Sequence, residues 1–148
     1  MRDVVTRYLG VDVGTRRIGL AVSDELGLTA QPLPTLDLVA QGDPIPAIRD
    51  LIARYQVEEV VIGLPKNMNG TLGAAAEQAL AFARRLEEGG SEKVTMWDER
   101  LTSQAALRVL IEADVRRAKR KHAVDRMAAV LILQNFLDRR RHEEDRPS

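Results

Sequence analysis

The chain alternates short apolar segments with amphipathic ones, and this pattern predicts the order of its strands and helices. Residues 8–13 and 18–24 alternate large apolar side chains with small or polar ones, which predicts two β-strands joined by the tight turn "GTRR". Apolar residues recur at helical spacing over residues 45–55, and a short, β-branched, continuously apolar segment follows at 59–65. This arrangement predicts a helix leading into a buried strand.

The second half of the chain continues the alternation. Residues 74–88 are rich in strong helix formers and end before two glycines, which predicts a helix. We expect a strand at 93–97, closing helices at 103–112 and 124–139, and another strand near 33–38 among turn-forming residues. A strand pair followed by alternating helices and strands predicts an α/β fold, with a mixed central sheet and helices on its faces.

Length and composition narrow the class of protein. A chain of 148 residues accommodates one domain, which we place at 1–141, followed by a flexible charged tail at 142–148. Basic and acidic residues balance at 22 each, so a nucleic-acid partner must be bound by a local cationic patch. Cysteine is absent, the start carries no signal-peptide pattern, and no apolar stretch approaches membrane-spanning length. We therefore expect a cytoplasmic protein that does not associate with a membrane.

Asp12 is unusual because it places a charge inside an apolar strand segment. Strand alternation puts Asp12 on the same face as Gly10, and the following strand contributes the small residues Gly19 and Ala21. We therefore expect an open, shallow surface around this carboxylate. A charge within a sheet is costly unless it is paired or binds a metal. Two explanations of the position of Asp12 are equally good at this point: an ion pair with an arginine of the following turn, or a functional site.

Three further acids lie at the ends of predicted elements. Asp98 and Glu99 follow the strand at 93–97, and Asp125 lies in the first turn of the last helix. Singly, they are ordinary strand-end and capping residues. Together with Asp12, they are expected to converge at one edge of the sheet, where divalent ions such as Mg²⁺ or Mn²⁺ would relieve their repulsion. Two such ions activate water and stabilise the leaving oxygen in phosphodiester cleavage.

Two polar segments are candidates for binding phosphate. The loop "GLPKNMNGT" follows a predicted buried strand, and "RRAKRK" concentrates five cations just before Asp125. The alternative explanations are a simple turn for the first segment and a solvated charged face for the second. The candidate substrate-binding residues are Gly14, Thr15, Lys66, Asn67, Arg100, Arg116, Arg117, Lys119, Arg120 and Lys121.

Four motifs in order, "GVDVGTRRIGLAVSD", "VVIGLPKNMNGT", "DERLTS" and "KRKHAVDRMAAVLIL", resemble the YqgF/RuvX family. This bacterial branch of the ribonuclease H-like superfamily is described as Holliday junction resolvases and as nucleases that mature the 5′ end of pre-16S rRNA. The resemblance implies a ribonuclease H-like fold and a catalytic site that binds two Mg²⁺ or Mn²⁺ ions. Carried over by motif, the catalytic acids are Asp12, Asp98, Glu99 and Asp125, and the expected metal ligands among them are Asp12, Glu99 and Asp125. Strand alternation leaves open which acid of the "DE" pair points inward.

The resemblance implies a metal-dependent nuclease acting on structured nucleic acid, with 5′-end processing of pre-16S rRNA as the first hypothesis. Its partners would be pre-rRNA or branched DNA, with ribosomal precursor particles as further partners, and it would act as a monomer or homodimer. One alternative is a Holliday junction resolvase, which needs a symmetric dimer to present two sites. Another is a non-catalytic nucleic-acid or ribosome-assembly binding module. The "DVGT" turn also resembles sugar kinases and actin-like ATPases, but their two-domain cleft needs a longer chain.

Overall fold

The computed structural model describes residues 7–90, 92–101 and 121–144, and its centre is a five-stranded mixed sheet. The strands are β1 (Arg7–Val13), β2 (Arg17–Ser23), β3 (Ala30–Asp37), β4 (Val57–Leu64) and β5 (Lys93–Asp98).

The described helices lie on both faces of this sheet. They are α1 (Leu38–Gln41), α2 (Ile45–Tyr55), α3 (Ala74–Glu88) and α4 (Lys121–Glu144), and a single 3₁₀ turn spans Glu99–Leu101. Within the described ranges, no helix has both the length and the apolarity that a membrane span requires.

The strand order is β3-β2-β1-β4-β5. β2 is antiparallel to both β1 and β3, whereas β1, β4 and β5 run parallel to one another. The carboxyl ends of β1, β4 and β5 therefore meet at one edge of the sheet, which we call the carboxyl edge. In open α/β sheets this edge is the usual position of a ligand site.

The predicted α/β class and the mixed sheet are confirmed. The helices at 45–55 and 74–88 have the predicted bounds, but the last helix extends beyond the predicted 124–139 at both ends, to Lys121 and Glu144. The strand near 33–38 begins earlier, at Ala30, and ends at Asp37. It ends there because the Asp37 side chain accepts hydrogen bonds from the Val39 and Ala40 amides in the first turn of α1 and caps that helix. The helix predicted at 103–112 lies outside the described residues.

Each sheet face has its own apolar core, as the alternation along the strands requires. On one face, α2 and α3 cover residues such as Leu9, Val11 and Ile62. On the other, α4 covers Tyr8 and Ala21 among others. Asp12 and Gly10 follow Tyr8 at every second position of β1, so they share the face that α4 covers.

Candidate active site

Asp12 lies at the carboxyl end of β1, one residue before the strand ends. In the register of β1 and β2, Asp12 lies opposite Gly19, and Gly10 lies opposite Ala21. The small residues are therefore beside Asp12, as the alternation predicts. The Asp12 side chain is partly exposed, which leaves its carboxylate accessible at the carboxyl edge.

The expected open, shallow surface is not present around Gly10, because α4 occupies this space. A Cβ added at Gly10 would lie only 2.7 Å from the Leu133 Cβ and 3.1 Å from the Ala129 carbonyl oxygen. The small residues of the strand pair thus let the helix backbone approach the sheet closely. This tight packing fixes α4 relative to the strand that carries Asp12.

Helix α4 crosses this face with its N-terminal end directed towards the carboxyl edge. The Phe136 and Tyr8 ring centroids lie 5.7 Å apart near the start of β1, whereas Ala129 lies over Gly10, two residues further along the strand. Position 125 is four residues before Ala129, about 6 Å along the helix axis, and Asp12 is about 6.7 Å beyond Gly10. The backbone of position 125 therefore continues towards Asp12. The Asp125 side chain lies outside the described part of the structure.

Glu99 begins the 3₁₀ turn that follows β5, and its carboxyl group turns back over β4. A Cβ at Gly63 would lie 2.6 Å from Glu99 Oε2, so only glycine leaves room for this carboxyl group. Burial, then the nearby charge of Asp12, then that of Asp98 raise the pKa of Glu99 from 4.5 to about 7. Glu99 is therefore the acid of the "DE" pair that interacts unfavourably with Asp12.

Asp98 has the opposite environment, although it is adjacent to Glu99. Its carboxylate accepts hydrogen bonds from Arg100 Nε at 3.2 Å and Nη2 at 2.9 Å, and from the Arg100 backbone amide at 2.9 Å. Lys66 Nζ lies 3.8 Å from the same group. The hydrogen bonds from the Arg100 side chain hold the pKa of Asp98 below its usual range. Asp98 thus fixes two cations at the carboxyl edge.

The remaining predicted phosphate contacts lie in the loop after β4, in the turn between β1 and β2, and in the basic segment at 116–121. Asn67 Nδ2 donates to Thr71 Oγ1 at 2.9 Å, so this amide stabilises the loop itself. Gly14 and Thr15 lie in the turn between β1 and β2, where the Gly14 amide donates to the Arg17 carbonyl at 2.9 Å. This turn follows Asp12 directly. Four predicted substrate-binding residues, Arg116, Arg117, Lys119 and Arg120, lie outside the described residues, as does the side chain of Lys121.

Carboxylates are the ligands that hard divalent cations prefer, and the Asp12 and Glu99 pair fits such an ion. Burial is the largest cause of the raised pKa of Glu99 and the charge of Asp12 is the next, so the charge of Asp12 disfavours the charged form of Glu99. Within the described part of the chain, no group of three or more His, Cys, Asp or Glu side chains is arranged to hold a metal.

Gly63 is a residue of the candidate site that the sequence analysis missed. It interrupts a run of large apolar residues in β4, and a glycine inside a strand often marks a close approach by another group. That signal was available in "VVIGLP". A second close neighbour, Ile132 Cδ1 of α4, would also lie 2.6 Å from an added Cβ.

Replacement of Gly63 by alanine is expected to displace Glu99 and lower nuclease activity by about 10²-fold, because small displacements of catalytic groups are costly. Gly73→Ala is the matched control, since its Cβ would meet only Asn67 side-chain atoms, at 3.7 Å. Cleavage rates and thermal unfolding of both variants measure the effect. Full activity of a folded Gly63→Ala protein would show that the position of Glu99 does not affect the cleavage rate.

The mixed sheet and the paired acids at its carboxyl edge define a protein with the ribonuclease H-like fold. A structure of Thermus thermophilus RuvC in complex with a Holliday junction substrate aligns with a TM-score of 0.60 and 17% identity, covering 90% of this chain and 96% of the other. The chain belongs to the RuvX family, described as "Holliday junction resolvase", whose model matches residues 6–139. The resemblance predicted from the four motifs is thus confirmed.

Relatives in bacilli cover nearly the whole chain. A protein of Shouchella clausii is 54% identical over 139 residues, covering 92% of this chain and 97% of its own length. A protein of Bacillus cereus strain AH187 is 51% identical over 136 residues, covering 90% and 99%. Both carry the name "Putative pre-16S rRNA nuclease".

Proposed function

We propose that this chain is a metal-dependent nuclease that hydrolyses phosphodiester bonds in structured nucleic acid. The observation that carries this proposal is the pairing of Asp12 and Glu99, from the ends of β1 and β5, where burial and then the charge of Asp12 raise the pKa of Glu99 to about 7. Two carboxylates that repel each other destabilise the fold. Perturbed pKa values of this kind cluster at functional sites. A bound cation removes the repulsion.

The ligands in this proposal are Asp12, Glu99 and Asp125, which hold two Mg²⁺ or Mn²⁺ ions. Asp125 is included because the direction of α4 brings position 125 towards Asp12. When bound, the ions supply charge neutralisation at the phosphate and lower the pKa of water for attack on phosphorus. Glu99 must lose its proton to bind a cation, so metal binding at neutral pH releases protons to solvent.

The cations at the carboxyl edge position the nucleic-acid backbone. Lys66 and Arg100 are held at this edge by Asp98, and in the sequence the basic segment at 116–121 supplies five further cations just before Asp125. Arg and Lys contacts to phosphate orient a nucleic acid without reading its sequence. The chain has no net charge, so this local patch provides the electrostatic attraction.

The names of the relatives favour 5′-end processing of pre-16S rRNA, either on free pre-rRNA or on ribosomal precursor particles in the cytoplasm. The family description favours a second candidate, resolution of Holliday junctions in DNA. Resolution requires a homodimer that presents two sites to two strands, whereas rRNA maturation is compatible with a monomer. The substrate therefore predicts the oligomeric state.

Cleavage of matched substrates tests the proposal and separates its two forms. The set is a pre-16S 5′-leader RNA, single-stranded RNA, single-stranded DNA and a four-way DNA junction, each with Mg²⁺, Mn²⁺ or EDTA. We expect metal-dependent cleavage that EDTA abolishes, with the leader RNA cut fastest. Faster cleavage of the junction would favour resolution, and tight binding without cleavage of any substrate would support a non-catalytic module.

Replacement of Asp98 by asparagine is expected to raise KM about tenfold with little change in kcat, because Asp98 positions Arg100 and Lys66. Mn²⁺ affinity should stay within about twofold of the wild-type value. Steady-state kinetics and a Mn²⁺ titration measure the two effects. A loss of Mn²⁺ binding equal to that of Glu99→Gln would instead make Asp98 a metal ligand.

A further inference from the structure

The loop between β4 and α3 carries an apolar side chain that no packing in the described structure explains. Met68 is 90% exposed, more than any other large apolar side chain among the described residues. Leu72, in the same loop, is 47% exposed. Single exposed apolar residues are common on protein surfaces, so the argument depends on how this loop is held and where it lies.

The loop is braced by its own hydrogen bonds. Asn67 and Thr71 close the loop, because the backbone amide of Asn67 donates to the backbone carbonyl of Thr71 at 3.0 Å. Between them, the Gly70 amide donates to the Asn67 carbonyl at 2.8 Å, which makes a β-turn with Met68 at its first corner. Asn69 Oδ1 accepts from the Thr71 backbone amide at 3.1 Å, and Gly70, the last residue of the turn, has a positive φ of 86°. These hydrogen bonds hold the backbone segment from which the Met68 side chain projects.

The same loop is attached to the proposed active site. Lys66, at its start, lies 3.8 Å from Asp98, and a Cβ at Gly70 would lie 3.5 Å from Arg100 Nη1. Asp98 and Arg100 flank Glu99 in sequence, so the loop rests on the turn that carries a proposed metal ligand. Met68 therefore projects from a hydrogen-bonded loop that lies against the residues on either side of Glu99 and is bordered by the cations Lys66 and Arg100.

We propose that Met68 is a wedge that inserts between bases of the substrate where a duplex ends or branches, next to the bond to be cut. An unbranched apolar side chain bordered by phosphate-binding cations has the chemistry of side chains that unstack a base step. The insertion costs stacking energy and is favoured where stacking is already interrupted, so it selects structured substrates with a junction. This proposal rests on the proposed nuclease function and specifies its substrate.

Base unstacking tests the wedge without requiring cleavage. The probes are an RNA stem with an unpaired 5′ extension and a four-way DNA junction, each with 2-aminopurine at the base step beside the junction. Asp12→Asn protein, bound with Mg²⁺, should increase the fluorescence of at least one probe severalfold. The Asp12→Asn/Met68→Ala protein should bind the same probe but lose this increase. Leu26→Ala in the same background is the control, because Leu26 is 78% exposed in the turn between β2 and β3.

In the active protein, Met68→Ala should slow cleavage of the junction-containing substrate about tenfold and leave cleavage of the unpaired strand within about twofold. An unchanged fluorescence increase in the Met68→Ala protein, or none in the Asp12→Asn protein, would overturn the wedge. If the Met68→Ala change lowered the affinity for paired and unpaired probes equally, the wedge would also be overturned, and Met68 would be a general contact to nucleic acid. Failure of the nuclease proposal is a separate result, since it would appear as absence of cleavage by wild type.

Discussion

Replacement of Asp12 by asparagine is expected to lower the cleavage rate by about 10³-fold or more, because the proposed site would lose a ligand of the cation that would stabilise the transition state by several kcal/mol. The change removes one charge and keeps the size of the side chain. Asp12 is partly exposed and lies opposite Gly19, so we expect the variant to fold. Single-turnover cleavage at saturating protein, with Mg²⁺ or Mn²⁺, measures the chemical step directly.

Asp50→Asn is the matched control for this variant. Asp50 is exposed on α2, on the opposite face of the sheet from α4, so its replacement removes the same charge away from the site. Its activity should stay within about twofold of wild type, as expected for an exposed residue away from the site. Comparable activity of the Asp12→Asn protein would exclude Asp12 from the catalytic machinery.

Replacement of Glu99 by glutamine is expected to abolish activity to a similar extent and, in contrast, to stabilise the metal-free protein above neutral pH. The pKa of Glu99 is raised from 4.5 to about 7, so the folded protein binds this proton more tightly than the unfolded chain does. The stability that this carboxyl contributes is therefore complete below pH 4.5 and is lost as pH rises to about 7. Above pH 7, the charged Glu99 lowers the free energy of unfolding.

Glutamine cannot ionise, so the Glu99→Gln protein should exceed wild type by about 1–2 kcal/mol in free energy of unfolding at pH 8, after allowance for partial solvent exposure. This difference corresponds to roughly 3–6 °C in Tm. At pH 4.5 the two proteins should unfold at nearly the same temperature. Thermal unfolding in EDTA at both pH values measures the effect, and a Glu99→Gln protein that is less stable at pH 8 would contradict the repulsion between Glu99 and Asp12.

Local sequence patterns predicted much of the sheet and of two helices. Alternation along residues 8–13 placed Asp12 and Gly10 on one face, and the observed register with Gly19 and Ala21 agrees. The helices at 45–55 and 74–88 were predictable because their apolar spacing is regular and clear stop signals follow them. These features depend on near neighbours in sequence.

The sequence could not show which acid of the "DE" pair faces Asp12. Strand alternation ends where the 3₁₀ turn begins, so it gives no orientation for Glu99. The missing Cβ of Gly63, on a different strand, makes room for the Glu99 carboxyl group. Likewise, the small residues around Gly10 accommodate α4, which begins more than one hundred residues later. Both features depend on contacts between distant segments.

Binding of Mn²⁺ is the most direct test of the central claim that acids at the carboxyl edge form a metal site. Calorimetric titration at pH 7.5 should show binding to wild type and to Asp50→Asn, with proton release that varies with the ionisation enthalpy of the buffer. Asp12→Asn, Glu99→Gln and Asp125→Asn should each bind at least about tenfold more weakly. Binding to Asp12→Asn with the affinity and stoichiometry of wild type would contradict the account.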